Sequence, residues 1–132
     1  MTNNILKEIA KSIIDAFNAS AYYEDYNIYN TYAPTNSDKS YFVFKITNVK
    51  EMQMFEKTNY DLKLTFAYVS SKESVEDSYD VYKAFMTGVI DQIAPTNTTI
   101  AFKDLLSIKT VKSKKMDKWM TALEYRIILE DE

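Results

Sequence analysis

Between Tyr60 and Val69 the chain alternates without a break: Tyr60, Leu62, Leu64, Phe66 and Tyr68 fall on one side, Asp61, Lys63 and Thr65 on the other. That period of two belongs to a strand buried on one face, because successive Cβ atoms point to opposite faces of a sheet. Tyr41 to Thr47 repeats it, with Phe42, Phe44 and Ile46 against Lys45 and Thr47. So does Trp119 to Leu129, where Trp119, Thr121, Leu123, Tyr125, Ile127 and Leu129 share a side. Two further strands are predicted, Tyr26 to Tyr32 and about Ile100 to Val111.

A sheet with one apolar face needs a covering layer. From Asn4 to Phe17 the residues Ile5, Leu6, Ile9, Ala10, Ile13, Ile14 and Phe17 recur at helical spacing, with Thr2, Asn3 or Asn4 available as caps. A second helix is predicted from Val75 to Ile93, opened by Ser74 with Asp77 three positions on and stopped by Pro95. The order is helix, three strands, helix, two strands. Pro34 marks a turn after the first strand, and the connections between strands read as hairpins. The expected fold is α+β: an antiparallel sheet of about four or five strands with two helices packed on one face, residues 1–132 forming a single domain. Trp119, Leu123, Tyr125, Ile127, Phe42, Phe44, Leu62, Leu64 and Phe66 are the expected core.

Composition narrows the chemistry. The chain of 132 residues contains no His, no Cys and one Gly, Gly88, which lies inside a predicted helix. Missing His and Cys remove the commonest general base, the thiolate nucleophile and the usual transition-metal ligands. With no glycine loop there is no phosphate cradle of the dinucleotide or nucleoside-triphosphate kind. The acids Glu73, Glu76, Asp77 and Asp80 resemble an oxygen-ligand metal site, but acids at a helix start complement its dipole, and that reading is preferred. Glu124 and Glu130 lie about 20 Å apart along a strand, too far to share a reaction centre. No catalytic residue, cofactor site or metal site is expected, and no enzyme activity. No apolar run is long enough to span a bilayer, and no targeting segment opens the chain, so no membrane association is expected.

Charge is unevenly distributed. Six lysines (Lys103, Lys109, Lys112, Lys114, Lys115 and Lys118) stand against Asp104 and Asp117 in one segment, a local charge of +4 in a chain of net charge -3. The segment is predicted to form a lysine-rich hairpin around Lys112, Lys114 and Lys115. It suits an acidic neighbouring subunit or non-specific contact with DNA backbone; it equally suits a solvated turn that discourages strand-edge aggregation. The single arginine, Arg126, argues against base-specific readout. Val49 to Thr58, carrying Met52, Met54 and Phe55, has no firm period and is expected as a hairpin tip or projecting arm. Its methionines suit an adaptable contact. Met52, Met54, Phe55, Lys112, Lys114 and Lys115 are therefore the expected oligomer or partner interface.

Taken in order, the amphipathic first helix, the Tyr-x-x-Tyr stretch, Tyr41-Phe-Val-Phe-Lys-Ile46, Tyr60-Asp-Leu-Lys-Leu-Thr-Phe-Ala-Tyr68, the helix with Tyr79-Asp-Val-Tyr82 and the closing strand resemble the small tail terminator proteins of phages of Gram-positive hosts. The resemblance spans nearly the whole chain. It implies a virion structural protein, assembled in the host cytoplasm, that forms a hexameric ring at the head-proximal end of the tail tube. Tail tube and neck proteins are its implied partners, in head–tail joining. The alternative from the residues alone is a small nucleic-acid-binding accessory protein using the lysine hairpin and surplus tyrosines.

Overall fold

The computed structural model describes residues 5–20, 26–31, 40–54, 57–70, 75–95, 98–113 and 118–131. The expected caps at Thr2 to Asn4 and Ser74, the Pro34 turn, and Phe55, Glu73, Lys114 and Lys115 lie outside the described residues. The elements are α1 (Ile5–Asn18), β1 (Asn27–Asn30), β2 (Tyr41–Met54), β3 (Lys57–Ser70), α2 (Val75–Gly88), a 3-10 turn (Ile90–Gln92), β4 (Thr98–Ser113) and β5 (Lys118–Asp131). All five strands form one sheet in the order β1-β2-β3-β5-β4.

The expected α+β fold, an antiparallel sheet with two helices packed on one face, is overturned. Strand dominates the described residues, the helices are two short segments, and the sheet is mixed because β1 runs parallel to β2. The Pro34 turn was expected to reverse the chain into a hairpin. Instead β1 spans only four residues, roughly 13 Å. Ten residues separate Asn30 from Tyr41, at about 3.3 Å each more chain than is needed to return over that distance and start β2 in the same direction. Thr31, with φ 74, leaves β1 by donating its backbone N–H to the Phe44 carbonyl at 2.7 Å.

The remaining pairs, β2 with β3, β3 with β5 and β5 with β4, are antiparallel. Both hairpins are longer than the alternation indicated. β2 pairs with β3 out to Met54 opposite Lys57, with a bulge between Thr47 and Lys50 where Asn48 adopts φ 54. An extra residue there breaks the period of two, so Val49 to Met54 does not read as strand. Only the rungs Gln53–Thr58 and Met54–Lys57 lie beyond the point where β5 stops pairing with β3, so the arm projects by two rungs.

The buried face follows the alternation. Phe42, Phe44, Leu62, Leu64, Phe66, Leu123, Tyr125, Ile127 and Leu129 are buried in one cluster with Ile5, Ile9, Ile13 and Phe17 of α1. Trp119, at the end of β5, is only half-buried. Leu6 and Ile14 face outward, 48% and 38% exposed, because the apolar arc of α1 is wider than the surface it covers. Phe85 of α2 stacks on Phe42 at 4.4 Å and meets Phe66 edge-on at 5.7 Å.

The helix predicted to reach Ile93 stops at Gly88, and the chain tightens into the 3-10 turn that buries Val89, Ile90 and Ile93. Lys103 of β4 holds this turn, pairing with Asp91 at 2.8 Å and reaching the Ile90 carbonyl at 3.5 Å. Gly88 itself does not need to be glycine: its φ is not positive, and no atom lies within 4 Å of where a Cβ would sit. Gly88→Ala is expected to stabilise the fold by about 0.5–1 kcal/mol by restricting the unfolded chain. A thermal melt checks this, and a lowered Tm would contradict it.

Tyr125 gives the fold a pH dependence. Burial first, then the charge of Asp91, pushes its phenol from 10.0 up to about 12. The unfolded chain therefore loses that proton before the folded one does. The corresponding stability is complete below pH 10 and is lost as pH rises towards 12. Melting temperature should fall across that window, and less steeply in Tyr125→Phe. Parallel pH profiles for the two proteins would refute the assignment.

Candidate assembly surface

β4 borders the sheet. Its Thr98–Ser113 backbone pairs with β5 on one side and with no described strand on the other. Bulges at Ile100/Phe102 and Leu105/Ser107 interrupt its register. Each bulge shifts the phase by one residue, so large apolar side chains emerge on both faces. Phe102, Leu106, Ile108 and Val111 are 44%, 43%, 43% and 47% exposed. Bulges and lysines are ordinary protection for a sheet edge, but a row of four exposed apolar side chains is the opposite of protection. Exposed apolar side chains gathered on one sheet edge make this strand a candidate contact surface.

The opposite edge also lacks a described partner over much of its length. β1 covers β2 only from Tyr41 to Phe44, which leaves Lys45 to Met54 without a described strand beside it. Lys45, Lys50, Glu51 and Gln53 are exposed along this stretch, as is Val49 in the bulge.

Between the edges, the sheet face turned away from the core carries ion pairs. Arg126 of β5 donates twice to Asp61 of β3, at 3.1 and 2.7 Å, and stands opposite Asp104 of β4. The Arg126 hydrogen bond holds the Asp61 carboxyl below the usual carboxylate range, and Asp61 raises the guanidinium in turn. Lys63–Glu124 and Lys57–Glu130 pair at 3.5 and 3.1 Å. Solvent-exposed pairs of this kind order a face more than they stabilise it.

Of the predicted interface residues, the described ones, Met52, Met54 and Lys112, do not come together. Met52 is half-buried opposite Asn59, near one end of the sheet, and Met54 occupies the last rung there. Lys112 is exposed at the other end, opposite Trp119. β3 runs from Asn59 to Ser70 between these points, about 36 Å. At the lysine end, cations sit over rings on both faces: Lys112 lies 6.0 Å from Trp119 and Lys118 5.7 Å from Tyr41. Tyr41 also meets Tyr29 edge-on at 5.7 Å, and burial followed by the Tyr29 charge raises its pKa.

The exposed row on β4 is what sequence reasoning missed. Its signal was present: Ile100, Phe102, Leu105, Leu106, Ile108 and Val111 cannot be placed on one side of an unbroken strand.

Away from the edges, an open groove of about 560 Å³ runs between α1 and the end of α2, lined by Ser12, Asp15, Ala16, Ala19, Gly88, Gln92 and Ala94. Of the acids weighed as a metal site, Asp80 is exposed, and no group of three potential ligands occurs among the described residues. No described helix is long and apolar enough to cross a membrane.

No protein-family profile matches the chain, and no curated protein matches it. A solved structure does: a chain of the "Virion of native gene transfer agent (GTA) particle" superposes with a TM-score of 0.73, covering 98% of this chain and 99% of that one at 12% identity. At that identity the likeness is one of fold.

Proposed function

We propose that this chain is a structural subunit of a phage-like particle, and within it a tail terminator. In this reading, copies form a hexameric ring that closes the head-proximal end of the tail tube and joins it to neck and head. The observation that carries the virion reading is the correspondence, over 98% of this chain and 99% of the other, with a chain of a gene transfer agent virion; the tail terminator role within it rests on the sequence resemblance. Two sheet edges of different character, each unpaired by any described strand over much of its length, support the ring, because contacts between unlike surfaces of identical chains form rings when the rotation closes. The role is structural rather than enzymatic, as the absence of His and Cys suggests.

The lysine end, with Lys112 over Trp119 and Lys118 over Tyr41, supports a second reading as a nucleic-acid-binding accessory protein. The two separate experimentally. Light scattering of the purified protein, alone and with isolated tail tubes, should give a ring mass or capture at one end of each tube. A monomer that ignores tubes but binds DNA with a steep salt dependence would favour the second reading.

A further inference from the structure

We infer that the β4 edge with no described strand beside it pairs, in one copy, antiparallel with the β2 stretch left uncovered by β1 in the next copy, with Phe102 opposite Met52, Lys103 opposite Glu51 and Asp104 opposite Lys50. The inference deepens the ring reading and rests on it for closure; the pairing itself rests on the two edges.

Direction comes first. β2 is antiparallel to β3, β3 to β5, and β5 to β4, so β4 runs opposite to β2. A second copy placed beside the first with its core on the same side therefore offers β2 antiparallel to β4. This is a heterologous contact.

Register comes next. Residues directly opposite one another share a face, so a one-residue slip is forbidden and only even shifts are allowed. On β4, Phe102 and Asp104 stand opposite Ile128 and Arg126 on the outer face, and Lys103 stands opposite Ile127 on the core face. On β2, Met52 and Lys50 stand opposite Asn59 and Asp61 on the outer face, and Glu51 opposite Tyr60 on the core face. The inferred register matches all three faces. It sets one apolar side chain against another and Asp104 against Lys50, and places Glu51 beside Lys103, whose amine also holds Asp91.

A shift of two residues one way places Phe102 against Lys50. A shift the other way places Asp104 against Met52 and Leu105 against Glu51. Beyond Asp104 the bulge at Val49 meets Leu105, and past the bulge at Leu106 the core-face residues Ile108 and Ile46 align. The next rung sets Lys109 against Lys45, an unfavourable pair. There β1 takes over the β2 edge, so the β4 strand must part from it.

Stagger is consistent with closure. Within one copy Phe102 is level with Lys50, through Ile128 and Asp61. Pairing Phe102 with Met52 therefore displaces each copy by two residues, about 7 Å. Sheets that close on themselves are staggered between strands in this way.

The chain has no cysteine, so disulfide trapping has a clean background. Met52→Cys and Phe102→Cys are made singly and together. Within one copy β2 and β4 are three strand spacings apart, about 14 Å, which no disulfide spans. After mild oxidation the double variant should give a ladder of covalent multimers on a non-reducing gel, and a mixture of the two single variants should give dimers. Each single variant alone should stay monomeric, with melting curves confirming that all three remain folded. Dimers from Phe102→Cys alone would overturn the inference in favour of two β4 edges meeting about a two-fold axis. A double variant that scatters as an oligomer yet gives no ladder would overturn the pairing while leaving the ring reading intact. A folded double variant that remains monomeric and ladder-free at high concentration would overturn the pairing too; binding to tail tubes would then decide the ring reading separately.

Discussion

Leu64→Ala is expected to destabilise the protein by about 2–5 kcal/mol, among the largest losses any single truncation here should produce. Leu64 has no exposed surface and lies at the centre of β3, opposite Ile46 on one side and Tyr125 on the other. Leu62 and Phe66 flank it on the same face and are equally enclosed. Neighbours so fixed by strand pairing on both sides cannot collapse into the space, so the lost transfer energy is joined by the energy of an open cavity. Urea unfolding measures the change, with an unaltered m-value expected for a two-state loss. A midpoint close to that of the parent would mean that the buried face of β3 is misassigned.

The triple variant Lys112→Glu, Lys114→Glu, Lys115→Glu is expected to fold normally and fail to assemble. Lys112 is exposed at the end of β4, and its segment carries +4 in a chain of net charge -3. Reversing three charges turns an attraction towards an acidic partner into repulsion, which suppresses encounter as well as affinity. Each lysine acting only as a solvated surface charge would be worth at most about 1 kcal/mol. Melting curves should therefore overlay those of the parent, while ring formation or capture by tail tubes is lost. Unimpaired assembly would reduce the lysine end to a solubility device and leave the β4 and β2 edges as the assembly surface.

What could be read from the sequence was whatever a single period determines. Tyr60 to Val69, Tyr41 to Thr47 and Trp119 to Leu129 alternate without interruption, and all three lie in strands with the expected side buried. The pattern failed wherever a local irregularity reset its phase. The Thr47/Lys50 bulge hid the continuation of β2, and the two bulges of β4 hid which residues would be exposed. Gly88 ended a helix whose apolar spacing continues to Ile93, because those side chains are buried by a 3-10 turn instead.

Topology was less accessible still. Whether β1 runs with β2 or against it is decided by their pairing across the sheet, and no local preference of Asn27–Asn30 encodes that. The candidate site was legible only in part. Sequence marked methionines and lysines as unusual, but it could not show that Met52 and Lys112 sit at opposite ends of one sheet. Nor could it show that both edges of that sheet lack a partner among the described strands, which depends on the order of strands far apart in the chain.

The proposed role in closing and joining the tail of a phage-like particle can be tested in the producing cell. The most direct test is electron microscopy of lysates from a producing strain in which its coding sequence is interrupted, with the intact copy restored as control. Filled heads and tail tubes should accumulate unjoined, with joined particles returning when the copy is restored. Normal, complete particles in its absence would contradict that role.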